Sequence, residues 1–139
     1  MLTPKKVKYR KWHTQRRKRS ARRMETRGLE LSFGSYGLKS VAYGRITANQ
    51  IEAARKTISR QLKKTGKLWI RVFPDRPVTQ KAAEVGMGKG KGDVKGYSFE
   101  VLPGRVLFEI DGLPAADARE AMRKAGAKLP ILTKIIDRG

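Results

Sequence analysis

The residues with the plainest chemical purpose in this chain are glycines alternating with cations, Gly86-Met87-Gly88-Lys89-Gly90-Lys91-Gly92. Each glycine lets the backbone come close to a neighbour, and Lys89 and Lys91 bring positive charge to the same place, a combination suited to phosphate. The segment does not fit the nucleotide-binding loops. A Walker loop ends in Gly-Lys-Ser or Gly-Lys-Thr at the start of a helix, whereas Gly92 and Asp93 follow Lys91. The dinucleotide fingerprint fails as well, because Lys91 stands where its third glycine belongs. In free solution the stretch reads as a floppy linker. Against RNA, its glycines let the chain thread between helices while its lysines neutralise phosphates.

A second constellation lies at the start of the chain. Lys5, Lys6, Lys8, Arg10 and Lys11 alternate with Tyr9, Trp12 and His13, and Arg16, Arg17, Lys18, Arg19, Arg22 and Arg23 follow. Residues 1–28 hold 12 of the 33 Lys and Arg and one of the 12 acids, a net of 12 − 1 = +11. The remaining 111 residues hold 21 basic and 11 acidic side chains, a net of +10. Half the excess charge thus sits in a fifth of the chain, too polar and self-repelling to form a core alone. A run of this kind is commonly a solvated tail. Here the aromatic rings offer planes for unstacked bases, which favours an RNA-ordered arm.

Catalytic options are few. His13 is the single histidine, no acid or nucleophile is near it in sequence, and the absence of cysteine removes disulfides, thiolate metal sites and cysteine nucleophiles. Glu109, Asp111, Asp117 and Glu120 cluster in sequence, and their spacing suits salt bridges or a solvated patch better than a two-carboxylate nuclease centre. No enzyme activity, cofactor, metal or small-molecule substrate is expected. A net charge of +21 calls for a polyanion, either nucleic acid or an anionic membrane. No apolar run approaches the roughly 20 residues of a membrane span. The most apolar stretch, Leu68 to Phe73, is broken by Arg71. The basic start does not read as a secretory signal, and an organellar transit peptide is a minor alternative.

These residues need a frame. Leu29, Leu31 and Phe33 predict one strand and Leu38 to Ala42 a second, parted by the turn signal Gly34-Ser35-Tyr36-Gly37. Thr47 opens a helix, since Gln50 completes a capping box and Ile51, Ala54, Ile58 and Leu62 share one face; Gly66 ends it. The opposite face carries Lys56, Arg60, Lys63 and Lys64, read equally as solvated or as touching RNA. Lys67 to Phe73 alternates as a strand, with Leu68, Ile70 and Val72 on one side and Trp69, Arg71 and Phe73 on the other. After Pro74, residues 75–96 lack periodicity and read as a long flexible or functional loop. Tyr97 to Leu102 and Arg105 to Ile110 read as a hairpin through Pro103-Gly104. Pro114 starts a second helix with Ala118, Met122 and Ala125 as its buried stripe, and Ile131 to Ile136 closes the fold as a strand. The class is α+β, two helices packed on a mainly antiparallel sheet. It forms one domain over 29–139, with residues 1–28 as a basic RNA-binding arm.

Three stretches together resemble the bacterial large-subunit ribosomal protein sixteen family. They are Met1-Leu2-Thr3-Pro4-Lys5 with Tyr9-Arg10-Lys11 and His13; Gly44 to Arg55 continued by Lys64-Thr65-Gly66-Lys67-Leu68-Trp69-Ile70-Arg71-Val72-Phe73-Pro74; and Met87 to Gly92. Lys128-Leu129-Pro130 also matches, so the resemblance spans essentially the whole chain. It implies an α/β sandwich in the large ribosomal subunit that contacts 23S rRNA and neighbouring ribosomal proteins and lies near the A-site and P-site tRNAs. The Gly86 to Gly92 loop would be the part reaching toward tRNA. Its place would be the cytoplasmic ribosome, with an organellar ribosome as the minor alternative. Two departures stand out. Many family members carry an arginine, hydroxylated in some bacteria, where this chain has Gly86, and Thr14 to Arg27 looks longer and more basic than the usual pattern. The competing expectation is a free-standing nucleic-acid chaperone, which would bind diverse RNA and DNA about equally.

Overall fold

The computed structural model describes residues 2–6, 24–62, 64–80 and 93–138, the side chains of 79, 80 and 93–95 excepted. In chain order the elements are β1 (Tyr36–Ser40), β2 (Gly44–Thr47), α1 (Ala48–Leu62), β3 (Lys67–Ile70), β4 (Arg76–Gln80), β5 (Asp93–Val101), β6 (Val106–Asp111), α2 (Ala115–Ala127) and β7 (Thr133–Asp137). The strands form two antiparallel sheets, ordered β3-β6-β1-β7 and β2-β5-β4. The α+β expectation therefore holds, with the sheet divided in two.

The first helix starts as its sequence dictates. The Thr47 N–H donates to Gln50 Oε1 at 2.8 Å and the Gln50 N–H donates to Thr47 Oγ1 at 3.3 Å, so two amides that the helix itself cannot satisfy are paired. Ile51, Ala54, Ile58 and Leu62 are buried along one stripe. On α2 the stripe is Ala118, Ala121, Met122 and Ala125, and its small side chains let that helix lie close to α1. Both stripes join Leu38, Phe108 and Ile110 of the four-stranded sheet in one core, which Ile46 and Val101 extend to the three-stranded sheet. Each fully buried aliphatic side chain contributes roughly 1.5–3 kcal/mol.

Four expectations need correction. Leu29 to Phe33 is not a strand but an irregular strap laid over the outer face of the four-stranded sheet, because its amides bond to a side chain instead of a neighbouring strand. The turn signal at 34–37 lies partly inside β1, where Gly37 makes room: a Cβ there would strike Leu31 of the strap. The long loop expected at 75–96 is shortened at both ends, since Arg76–Gln80 pairs with β5 from Asp93 onward. Pro77 hides that strand from a propensity reading, yet β4 is a sheet edge, where proline is tolerated.

The fourth correction concerns Pro103-Gly104. Its turn is real, with Gly104 at φ 101° and the Arg105 N–H donating to the Leu102 carbonyl at 3.2 Å. The flanking strands do not pair with each other. β5 belongs to the three-stranded sheet and β6 to the other, so the turn carries the chain from one sheet to the next.

Candidate nucleic-acid interface

The arm's described part begins and ends on the domain. Leu2 packs against the core, and Lys5 and Lys6 are exposed. Lys8, Tyr9, Arg10, Lys11, Trp12, His13, Arg16, Arg17, Lys18, Arg19, Arg22 and Arg23 lie outside the described residues. From Met24 the chain is pinned beside the inter-sheet turn. The Glu25 N–H donates to the Pro103 carbonyl at 3.0 Å and the Val106 N–H to the Gly28 carbonyl at 2.7 Å. Arg105 gathers this root. Its guanidinium donates to the carbonyls of Arg71 (2.7 Å) and Arg27 (3.4 Å) and lies 5.5 Å from the centroid of the Phe99 ring.

The Gly86 to Gly92 segment also lies outside the described residues, but its two roots are placed. Gln80 pairs with Asp93, so the segment departs from the first residue of β5. The arm's root sits against the turn that follows the last, Val101. Nine residues of strand separate these ends, roughly 27 Å at the usual rise per residue.

On α1, Lys56, Arg60 and Lys64 just beyond it are exposed, as the sequence suggested, while Lys63 lies outside the described residues. Other surface cations have local partners. Arg55 binds Glu52, whose carboxyl it holds below the ordinary value; Arg123 does the same for Glu120; and Arg119 meets Asp137 at 2.8 Å. Glu100 accepts from Arg76 and forms an ion pair with Arg45 at 3.4 Å. Lys56, Arg60 and Lys64 have no ion pair among the described residues, so their charge is directed outward.

The acids expected to form salt bridges or a solvated patch divide between these, with Glu109 and Glu120 in salt bridges. Asp117 is exposed in the first turn of α2, where it faces the helix dipole favourably. Asp111 accepts from the Ser35 hydroxyl at 2.9 Å. Glu109 is fully buried: one carboxylate oxygen accepts the N–H groups of Ser32, Phe33 and Gly34 at 2.9, 2.9 and 3.0 Å, and the other meets Arg71. Burial is the largest single influence on this carboxyl and pushes its pKa up, but the amides of Gly34 and Phe33, Arg71 and the Ser32 amide together hold it below the ordinary value. The Phe33 ring, fixed by these bonds, stacks on Trp69 with centroids 5.8 Å apart and planes 18° apart, and the Arg71 guanidinium lies 5.3 Å from its centroid. Sequence reasoning missed this assembly. The signal present was the alternation of Lys67 to Phe73, which implies that the Trp69, Arg71 and Phe73 face is also partly covered but does not say by which segment.

Among the described residues, no group of three or more His, Asp or Glu side chains could hold a metal ion, and no helix is long and apolar enough to cross a membrane. The family model for ribosomal protein L16p/L10e matches residues 4–136. The chain belongs to this family. Members of the L16p/L10e family similar to it include the large ribosomal subunit protein uL16 of Xanthomonas oryzae pv. oryzae (strain PXO99A), 53% identical over 138 residues that cover 99% of this chain and 98% of that protein. The uL16 of Caulobacter vibrioides (strain NA1000 / CB15N) is 55% identical over 138 residues, covering 99% and 94% of the two chains. Membership makes the chain a ribosomal protein, a structural component and not an enzyme.

Proposed function

We propose that this chain, a structural constituent of the large ribosomal subunit, anchors itself to 23S rRNA through two surfaces and presents a third segment to tRNA. The anchors are the arm of residues 1–28 and the outward cations of α1, Lys56, Arg60 and Lys64, with Lys63 beside them. The tRNA-facing segment is Gly86 to Gly92, directed at the A-site tRNA and the neighbouring P-site tRNA. Its place is the cytoplasmic ribosome, among neighbouring ribosomal proteins.

The separation of the two appendages along β5 carries this reading. One strand holds the arm's root at its C-terminal end and the loop's roots at its N-terminal end, so the two segments leave the domain from separate places. The strand sets the distance between the root of the proposed anchor and the roots of the proposed probe. The loop contributes close backbone approach more than charge, because glycine occupies four of its seven positions.

Sedimentation of cell extract tests the assignment. The chain should migrate with large subunits and leave them only at high salt, since binding to phosphates weakens as counterions compete. Recovery mainly in a free pool would refute it.

A further inference from the structure

Phe33 is 55% exposed, although three backbone amides of its strap are fixed by a buried carboxylate. A strap secured only to cover the sheet would turn its aromatic ring inward. This one holds the ring outward, stacked on Trp69 and edged by the Arg71 guanidinium. Both side-chain bonds of Arg71 run through Nη1, to Glu109 and to the Glu30 carbonyl at 3.4 Å, which leaves Nη2 for another acceptor. Beside the guanidinium lies an open hollow of about 290 Å³ lined by Thr26, Gly28, Leu29, Glu30, Ser32 and Arg71. Lys67, two residues before Trp69 on the same strand face, is exposed.

We infer that Phe33, Trp69 and Arg71 form a stacking site for one unpaired nucleobase of ribosomal RNA, separate from the arm, the α1 cations and the Gly-Lys loop. A flat aromatic pair accepts any base by its π-face, the guanidinium supplies a donor for the base edge, and Lys67 meets the adjoining phosphate. Charge selects RNA over an apolar protein segment as the occupant. Glu109 is engaged by Arg71 and three amides and Asp111 by Ser35, while Lys67 and the Nη2 edge of Arg71 are available to an anion or a carbonyl. Glu30 is exposed at the hollow and offers a carboxylate to the amino group of a base, so the hollow suits a base edge and Lys67 the phosphate. Because Glu109 fixes both the strap and Arg71, the site is assembled before its ligand arrives and sacrifices little freedom on binding.

This inference rests on the ribosomal reading above, and the experiment separates the two. Large subunits carrying the full-length chain are irradiated with ultraviolet light, and its peptides are searched for nucleotide adducts; the same subunits are probed with base-modifying reagents. A nucleotide adduct on Phe33 or Trp69 is expected in the unaltered chain. In subunits that have incorporated Phe33→Ala or Trp69→Ala, one or two unpaired nucleotides should become about five-fold or more reactive, and Phe33→Tyr and Trp69→Phe should restore protection. An unchanged reactivity pattern, or cross-links from this face to a neighbouring protein instead of RNA, would overturn the site. Should the alanine variants fail to assemble, the adduct search on the unaltered chain still decides. Absence of the unaltered chain from large subunits would instead refute the ribosomal reading itself.

Discussion

Glu109 secures three consecutive strap amides with one oxygen and Arg71 with the other, so a single carboxylate substitutes for the strand ladder that Leu29 to Phe33 lacks. Removing it leaves three amides without a partner and a partly buried guanidinium without its counter-ion, a loss of about 3 kcal/mol for Glu109→Ala. Glu109→Gln keeps an acceptor but not the charge and should cost less. The charge also makes the contribution pH-dependent. The folded carboxyl lies below its ordinary value of 4.5, so its stabilisation is fully present above that pH and is lost as the pH falls through the depressed folded value. Urea unfolding of wild type and Glu109→Gln should show a gap that is full near neutrality and narrows below about pH 4.5. A gap independent of pH would show that the charge is not what stabilises the strap. The alternation from Lys67 to Phe73 put Arg71 on the face opposite Leu68 and Ile70, but Glu109 read as one more surface acid. Its burial depends on the strap, some 75 residues earlier in the chain, which no local pattern reveals.

At the scale of elements, what was legible followed from local chemistry and what was missed followed from pairing. The capping box at Thr47 and Gln50, the buried stripes of α1 and α2, and the start of β3 at Lys67 are each set by residues within one or two turns of one another. β2 and β4, four and five residues long, have their partners in β5 and lack the alternation to announce themselves. The Pro103-Gly104 signal named the turn correctly but could not say that its flanking strands join different sheets. Gly104 bears the consequence. Its φ of 101° strains any L side chain, and a Cβ there would lie 3.0 Å from Leu29, in the strap that leads to the arm's root. Gly104→Ala should therefore destabilise by about 1–3 kcal/mol, whereas Gly96→Ala, with open space around its Cβ, should be neutral or slightly stabilising. Thermal unfolding of the two variants distinguishes these outcomes, and equal melting temperatures would show that the inter-sheet turn is not strained by a side chain at Gly104.

For the whole molecule, a net charge of +21 is divided between an arm that holds about half of it and a domain whose arginines largely meet local acids. The composition made a polyanionic partner legible without any structure. The proposed division of labour was less so, because it rests on both appendages rooting at opposite ends of β5. That geometry predicts separable defects. Replacing Arg16, Arg17, Lys18 and Arg19 with Ala should lower the salt dependence of RNA binding by roughly one unit of log-log slope for each phosphate no longer neutralised, and should reduce incorporation into the subunit. Replacing Lys89 and Lys91 with Ala should leave incorporation near normal and slow tRNA-dependent steps, since these two lysines supply little of the total charge but all of the cations between Gly86 and Gly92. Quantitative sedimentation reads the first effect, and A-site tRNA binding to purified subunits paired with small subunits reads the second. If both variants impaired incorporation and tRNA binding in the same proportion, anchor and probe would be one surface, and the spacing imposed by β5 would have no functional consequence.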